Sequence, residues 1–357
     1  MEKELAMVIN LGSTSSKVGV YDAGKEVFKT SVPHDQAELS AFSDIWAQQD
    51  FRKRKIMHEM SAHGIQKKDL SAVVSRGGNI RPVPGGIYVI DIKMLADIRG
   101  GKYGVHPTGL GVTIAFELGK ELGIPALTRD PPVTDEFWEL SRYSGIKELP
   151  RVSSFHALSQ KATAKKACAN VLGKAYEEAN LIVAHLGGGI SVGTHFKGRI
   201  VDVNNALDGE GPFSPERAGT VPAGDLVRMC FSGKYTEKEI IKKLKGEGGL
   251  MSYLGTNSGI EVERRIAEGD TLAREVYEAM AYRISKEIGA AAANLEGKVD
   301  AVIMTGSLAY SKTLVAEITK RVSFIARVIL DPGENEMQAL ADGAHRYLTG
   351  AEAAREY

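Results

Sequence analysis

The sequence predicts an α/β protein built from two similar halves, and three observations predict it. The chain opens with a β-meander, the meander returns about half a chain later, and amphipathic helical stretches follow each copy. A length of 357 residues also exceeds one comfortable core and suggests two domains of ordinary size.

Taken in order, Met7–Asn10, Lys17–Tyr21 and Glu26–Ser31 are short apolar runs separated by Gly- and Ser-bearing turns, the pattern of hairpin-linked strands. A Rossmann unit does not begin this way. Helical periodicity predicts a long helix over Asp35–His63, followed by strands at Ala72–Val74 and Ile87–Ile90 and a helix over Gly109–Leu122. Asp135–Tyr143 and His156–Leu172 also read as helices by period. At Leu181 the opening returns as LIVAHLGGGISVGTHFKGRIVDV. Asn10-Leu11-Gly12-Ser13 aligns with His185-Leu186-Gly187-Gly188, 175 residues on, and Gly24 with Gly198, 174 on. A chance recurrence of strand, glycine turn and strand is the plainer alternative, and the matched second hairpin argues against it. Helices near Gly224–Phe231, Thr236–Lys245 and Thr271–Leu295 follow, then a buried strand in Asp300–Ser307 and a last helix over Glu334–Leu348. The expected domains are residues 1–155, joined by the C-terminal helical segment 334–357, and residues 156–333.

Composition narrows the function. Forty-five basic residues balance 45 acidic ones, so no net field recruits nucleic acid or an anionic membrane. Cys168 and Cys230 cannot form a disulfide framework, and no CxxC, HExxH or DxDxDG pattern supports a transition-metal or EF-hand site. MEKELAMVIN lacks the form of a signal peptide, and no apolar run approaches the roughly 18 residues of a membrane span. A cytoplasmic protein is expected.

Duplicated α/β halves, each opening with a meander whose first turn is small and polar, follow the plan of the actin-like ATPase (ribonuclease H-like) superfamily. An interdomain active-site cleft is expected, with the two hairpin turns gripping nucleotide phosphates. Small side chains let backbone N–H groups approach phosphate, and hydroxyls add donors. Asn10, Ser13, Thr14, Ser15 and Lys17 are the candidates in the first copy, and His185, Gly187, Gly188 and Gly189 in the second. A tight hairpin with no ligand is the plainer reading of either turn alone.

The segments INLGSTSSK, VVSRGG, PGGIY, SSFHALSQKA, VAHLGGGISV, VDVNNALDGEGPFSPERAGT and DAVIMTGSLA together resemble the acetate kinase family, and within it the butyrate kinases. The resemblance runs from about Met7 to Tyr347. It implies reversible formation of an acyl phosphate from a short-chain carboxylate and ATP, with Mg²⁺ and with ADP as the other product. It also implies a homodimer or higher homo-oligomer. Such a reaction needs alignment and charge neutralisation rather than a nucleophilic triad.

By motif, the resemblance implies Arg76 and Arg217 as the paired catalytic arginines, whose planar forks suit phosphate and carboxylate. It implies His156 beside the transferred phosphoryl group and Phe155 as an apolar wall for the acyl chain. Asp130 matches an acidic catalytic or metal-shell position, and Glu336 a magnesium-associated one, with Asn10 completing the metal set. Gly306 and Ser307 end a strand that passes close to adenosine. Simpler readings stand beside these: surface ion pairs for the arginines, a strand-end contact for His185, a first-turn dipole effect for Glu336. Leu11 stands where the family commonly has proline, Ser307 where it has a second glycine, and the role of His106 is open. Propionate, isobutyrate, valerate or acetate are alternative substrates. A sugar kinase and a non-enzymatic nucleotide switch are the more distant alternatives.

Overall fold

The structure is a computed structural model that describes residues 4–357. The chain divides into two compact units, one reaching Thr134 and including Asn335–Tyr357, the other Asp135–Glu334.

The first unit is built on a six-stranded sheet with the order β3-β2-β1-β4-β6-β5. Its strands are β1 Leu5–Leu11, β2 Ser15–Asp22, β3 Lys25–Pro33, β4 Leu70–Ser75, β5 Ile87–Val89 and β6 Ala126–Arg129. β1, β2 and β3 form the antiparallel meander, with Asn10 opposite Lys17, and β4 and β6 extend the sheet in parallel from β1. Every residue of β1 is buried, as expected of a central strand, here between antiparallel β2 and parallel β4. The helices Thr108–Leu122 and Glu336–Leu348 both pack on β1 and β4.

The second unit repeats this plan on a five-stranded sheet ordered β11-β10-β7-β8-β9. Here β7 Asn180–Leu186, β8 Ile190–Phe196 and β9 Arg199–Val203 form the meander, and β10 Ala301–Gly306 and β11 Val328–Pro332 add in parallel. The copies share an irregularity as well. The register shifts at Val20/Tyr21 in β2 and at Thr194/His195 in β8, again 174 residues apart. The helices Ala157–Ala167 and Thr271–Asn294 pack on this sheet.

Two expected helices differ. Asp35–His63 is two helices, Gln36–Ser40 and Gln49–Ala62, separated by a bend and a 3₁₀ turn. The break is fixed by Asp44, whose Oδ1 accepts from Ala47 N–H at 2.9 Å. Asp135–Tyr143 has only a 3₁₀ turn at Glu139–Arg142. The chain before it is extended, because Trp138 N–H donates to Val201 O at 2.9 Å. That contact also moves the boundary from the expected residue 155. Phe137 and Phe155 share a cluster with Ile200, Val203 and Ala206, so residues 135–155 pack with the second unit.

Candidate active site

In the first unit, the β1–β2 turn closes with Gly12 N–H donating to Ser15 O at 2.9 Å, and leaves Ser13 and Thr14 exposed at its tip. Beneath it lies Arg52, 0% exposed, from the helix Gln49–Ala62. Its Nη1 donates to Gly12 O at 2.8 Å and Ser15 O at 3.3 Å, and its Nη2 to Ser13 O at 2.9 Å. A trans peptide points its N–H opposite to its C=O, so the N–H groups of Ser13 and Thr14 face away from Arg52. Lys17, half-buried, lies across the ladder from Asn10.

Three expected site residues meet next to this turn. Asn10 Nδ2 donates to Glu336 Oε2 at 2.8 Å, and Arg76 Nη2 lies 3.1 Å from Glu336 Oε1. Glu336 is buried at the start of its helix, so its two oxygens fix one amide and one guanidinium. Arg76 N–H donates to Ile9 O at 3.2 Å, which ties the base of this side chain to β1.

Asp130 sits differently. It has φ of 40°, a left-handed backbone that costs an ordinary residue about 1–2 kcal/mol, and it is 3% exposed. Its Oδ1 accepts from Gly86 N–H at 2.8 Å, and its Oδ2 lies 3.3 Å from Arg129 Nε. The carboxylate is committed to holding a turn, and among the described contacts none joins it to Asn10 or Glu336. Asn10 and Glu336 offer oxygen donors that suit Mg²⁺, which takes one or two protein ligands and fills its shell with phosphate and water. No group of three or more His, Cys, Asp or Glu that could hold a metal occurs among the described residues. His106 Nδ1 meets the Thr108 hydroxyl at 3.1 Å at the start of its helix.

In the second unit, Gly187 N–H donates to Gly189 O at 3.2 Å across the β7–β8 turn. The segment Ser214–Arg217 folds against this turn. Ser214 Oγ donates to Gly188 O at 2.5 Å, Arg217 N–H donates to Ser214 Oγ at 3.1 Å, and a Cβ on Gly189 would overlap the Arg217 guanidinium. Glycine leaves room there for the guanidinium to approach the turn. Arg217 Nη1 donates to Ala206 O at 2.5 Å, and its buried Nε has no hydrogen-bond partner among the described residues. Desolvation lowers its pKa from the ordinary arginine value, with Glu216 and Asp208 opposing.

The rings of His156 and His185 stack with centroids 3.9 Å apart and planes 12° from parallel. Each is held by a serine: His156 Nδ1 on Ser191 Oγ and His185 Nδ1 on Ser159 Oγ, both at 2.9 Å. Gln160 braces the pair from behind, Nε2 donating to Ser191 Oγ at 2.8 Å and Oε1 meeting His195 Nε2 at 3.0 Å. His195, fully buried, also meets Tyr176 OH at 2.9 Å. Burial, and then Lys161, push its pKa down to about 3, so it is a neutral strut at physiological pH.

Phe155 is buried within its aromatic and aliphatic cluster. Gly306 has φ of 91°, and a Cβ there would strike the backbone of Leu186. Its smallness is thus a requirement of packing against β7. Ser307, exposed, begins a single 3₁₀ turn. Arg52, Ser159, Gln160 and Ser191 were not singled out in the sequence. Ser159 and Gln160 lie one helical turn beyond Phe155 and His156 in SSFHALSQKA, where that spacing could have drawn them in.

Comparison with known proteins agrees with this picture. Residues 140–346, more than half of the chain, match the acetokinase family model. The chain is similar in structure to acetate kinase from Porphyromonas gingivalis, at 20% identity and a TM-score of 0.75 over 95% of this chain and 98% of that one. It is similar to acetate kinase from Entamoeba histolytica (16%, 0.73) and to a propionate kinase from Francisella tularensis (17%, 0.72), with the same coverage. At such identities the likeness shows the fold, the duplicated actin-like α/β fold. The chain belongs to the acetokinase family, and so to the ATP-dependent carboxylate kinases.

Proposed function

We propose that the chain is a butyrate kinase, transferring the γ-phosphoryl group of ATP reversibly to butyrate. A carboxylate oxygen attacks the γ-phosphorus, the bond from that phosphorus to the β–γ bridging oxygen breaks, and ADP leaves with the electron pair. Butyrate is already an anion, so no proton moves and no general base is needed. The work left to the protein is alignment and neutralisation of charge.

The observation that carries this reading is the Arg217 guanidinium, desolvated, lying against Gly189 and leaving a buried donor unused. A half-buried, desolvated cation of this kind is poised for an anion. In the proposed reaction Arg217 and Arg76 neutralise the transferring group, with Glu336 holding Arg76 in place. His156 touches the transferring phosphoryl group, and the Nδ1 bond to Ser191 fixes its ring. Asn10, Ser13, Thr14, Ser15 and Lys17 bind phosphate from one hairpin and His185, Gly187, Gly188 and Gly189 from the other. Gly306 and Ser307 lie on the nucleoside side. Asn10 and Glu336 would hold Mg²⁺, which when bound screens the phosphate charge. Asp130 acts on catalysis through the turn it fixes, and Phe155 shapes the acyl pocket from within its cluster. A cytoplasmic homodimer or larger homo-oligomer completes the proposal. Among the described residues no helix is long and apolar enough to cross a membrane.

Each methylene of the acid is worth only about 1–3 kcal/mol in an apolar pocket, so chain length must be measured. The test is hydroxylamine-trapped acyl phosphate from ATP, Mg²⁺ and acetate, propionate, butyrate, isobutyrate or valerate. The proposal expects kcat/KM to peak at butyrate. A peak at acetate or propionate would replace the substrate, and silence with every acid would remove the reaction.

A further inference from the structure

We propose that Arg52 is a positioning residue for the nucleotide, an internal cation that orients the first hairpin toward phosphate and uses that phosphate as its counter-ion. This rests on the reading of the β1–β2 turn as a phosphate-binding loop.

Several buried or half-buried arginines elsewhere in the chain pair with acids. Arg129 lies beside Asp130, Arg142 beside Asp135, and Arg151 beside Asp202 and Glu210. Arg52 is more deeply buried than these, and its partners are all neutral: three backbone carbonyls and Gln48 Oε1 at 3.1 Å. Among the described residues no carboxylate forms a salt bridge with it. Neutral oxygens satisfy the hydrogen bonds of a guanidinium without cancelling its charge, so the desolvation penalty is left partly uncompensated. An anion bound on the outer side of the same peptide planes would lower that energy, because the intervening groups are dipoles already aligned from cation to anion.

The fork geometry matters as much as the charge. Arg52 reaches Gly12 O and Ser15 O with one nitrogen and Ser13 O with the other, so one rigid group fixes successive peptide planes of the turn. A lysine has the charge and three donors on one nitrogen, but not the planar two-nitrogen fork that holds these carbonyls. The second unit has a partial counterpart, in which the arginine touches its turn but bonds a carbonyl outside it. Arg217 also comes from the segment after its meander, is bound to one neutral carbonyl, and lies against its own glycine turn. Each copy of the duplicated hairpin therefore has beside it one desolvated arginine with no acid hydrogen-bonded to it among the described residues.

The experiment uses full-length Arg52→Met and Arg52→Lys beside wild type. It reads KM for ATP, KM for the carboxylic acid, kcat, ADP binding by calorimetry, and urea unfolding. For Arg52→Met the expectation is that KM for ATP and Kd for ADP rise about tenfold or more, while KM for the acid stays within about twofold. Arg52→Lys falls between wild type and Met, and it carries the test if the Met variant does not fold. Wild-type nucleotide affinity in a folded variant would overturn the proposal. So would equal losses in both KM values that merely follow stability. A wild type that binds ADP yet makes no acyl phosphate would end the carboxylate-kinase reading and leave ADP affinity to decide the role of Arg52. A wild type that binds no ADP would overturn the role itself.

Discussion

Single residues in this chain carry unusually placed charge. Among the described residues, Arg217 has a buried Nε without a partner and Arg52 has only neutral partners, and His195 is an imidazole with no solvent contact. His195 gives a prediction with a definite sign. Its folded pKa, about 3, lies below the 6.5 of the unfolded chain, so the unfolded state binds more protons between those values. Stability is therefore fully present above pH 6.5 and falls as the pH drops toward 3, by up to about 1.4 kcal/mol per pH unit. Urea unfolding of wild type and His195→Gln between pH 4 and 8 isolates this contribution as the difference between two profiles. Parallel profiles would rule it out. Arg52 was hidden in the sequence for a physical reason. It lies in FRKRK, where every basic residue has the same local context and only the tertiary fold decides which one is buried.

At the scale of elements, the strands were the legible part. β1 and β7 are mostly apolar runs, broken near their ends by Asn10 and His185, and a run buried on both faces announces itself. The helix breaks were not. The expected helix over Asp35–His63 runs through the bend at Asp44 because no proline or glycine in that stretch marks the break. Asp135–Tyr143 has helical spacing too, but pairing with Val201 draws its start out into extended chain. Strand ends carry the tightest constraints. Gly306→Ala would add a Cβ against the Leu186 backbone at a φ of 91°. We expect it to destabilise the protein by about 2–4 kcal/mol, seen as a lower urea midpoint with unchanged slope. An unchanged midpoint would show that β10 can shift away from β7 at little cost.

At the scale of the whole molecule, the duplication was readable because it repeats more than composition. The 174–175-residue offset recurs in the hairpin turns, and the structure adds the same strand order and the same register shift. The Asn10–Glu336–Arg76 constellation could not be read from spacing, since it joins residues 326 apart that share no local pattern. It was approached only through motif resemblance. The proposed reaction needs both Arg76 and Arg217, and that is the central claim. The measurement that tests it most directly is kcat/KM for acyl phosphate formation from ATP and butyrate by wild type, Arg76→Ala and Arg217→Ala, each checked for folding. The account predicts that both variants lose at least about 100-fold, largely in kcat. A folded variant of either arginine that keeps the wild-type rate would contradict it.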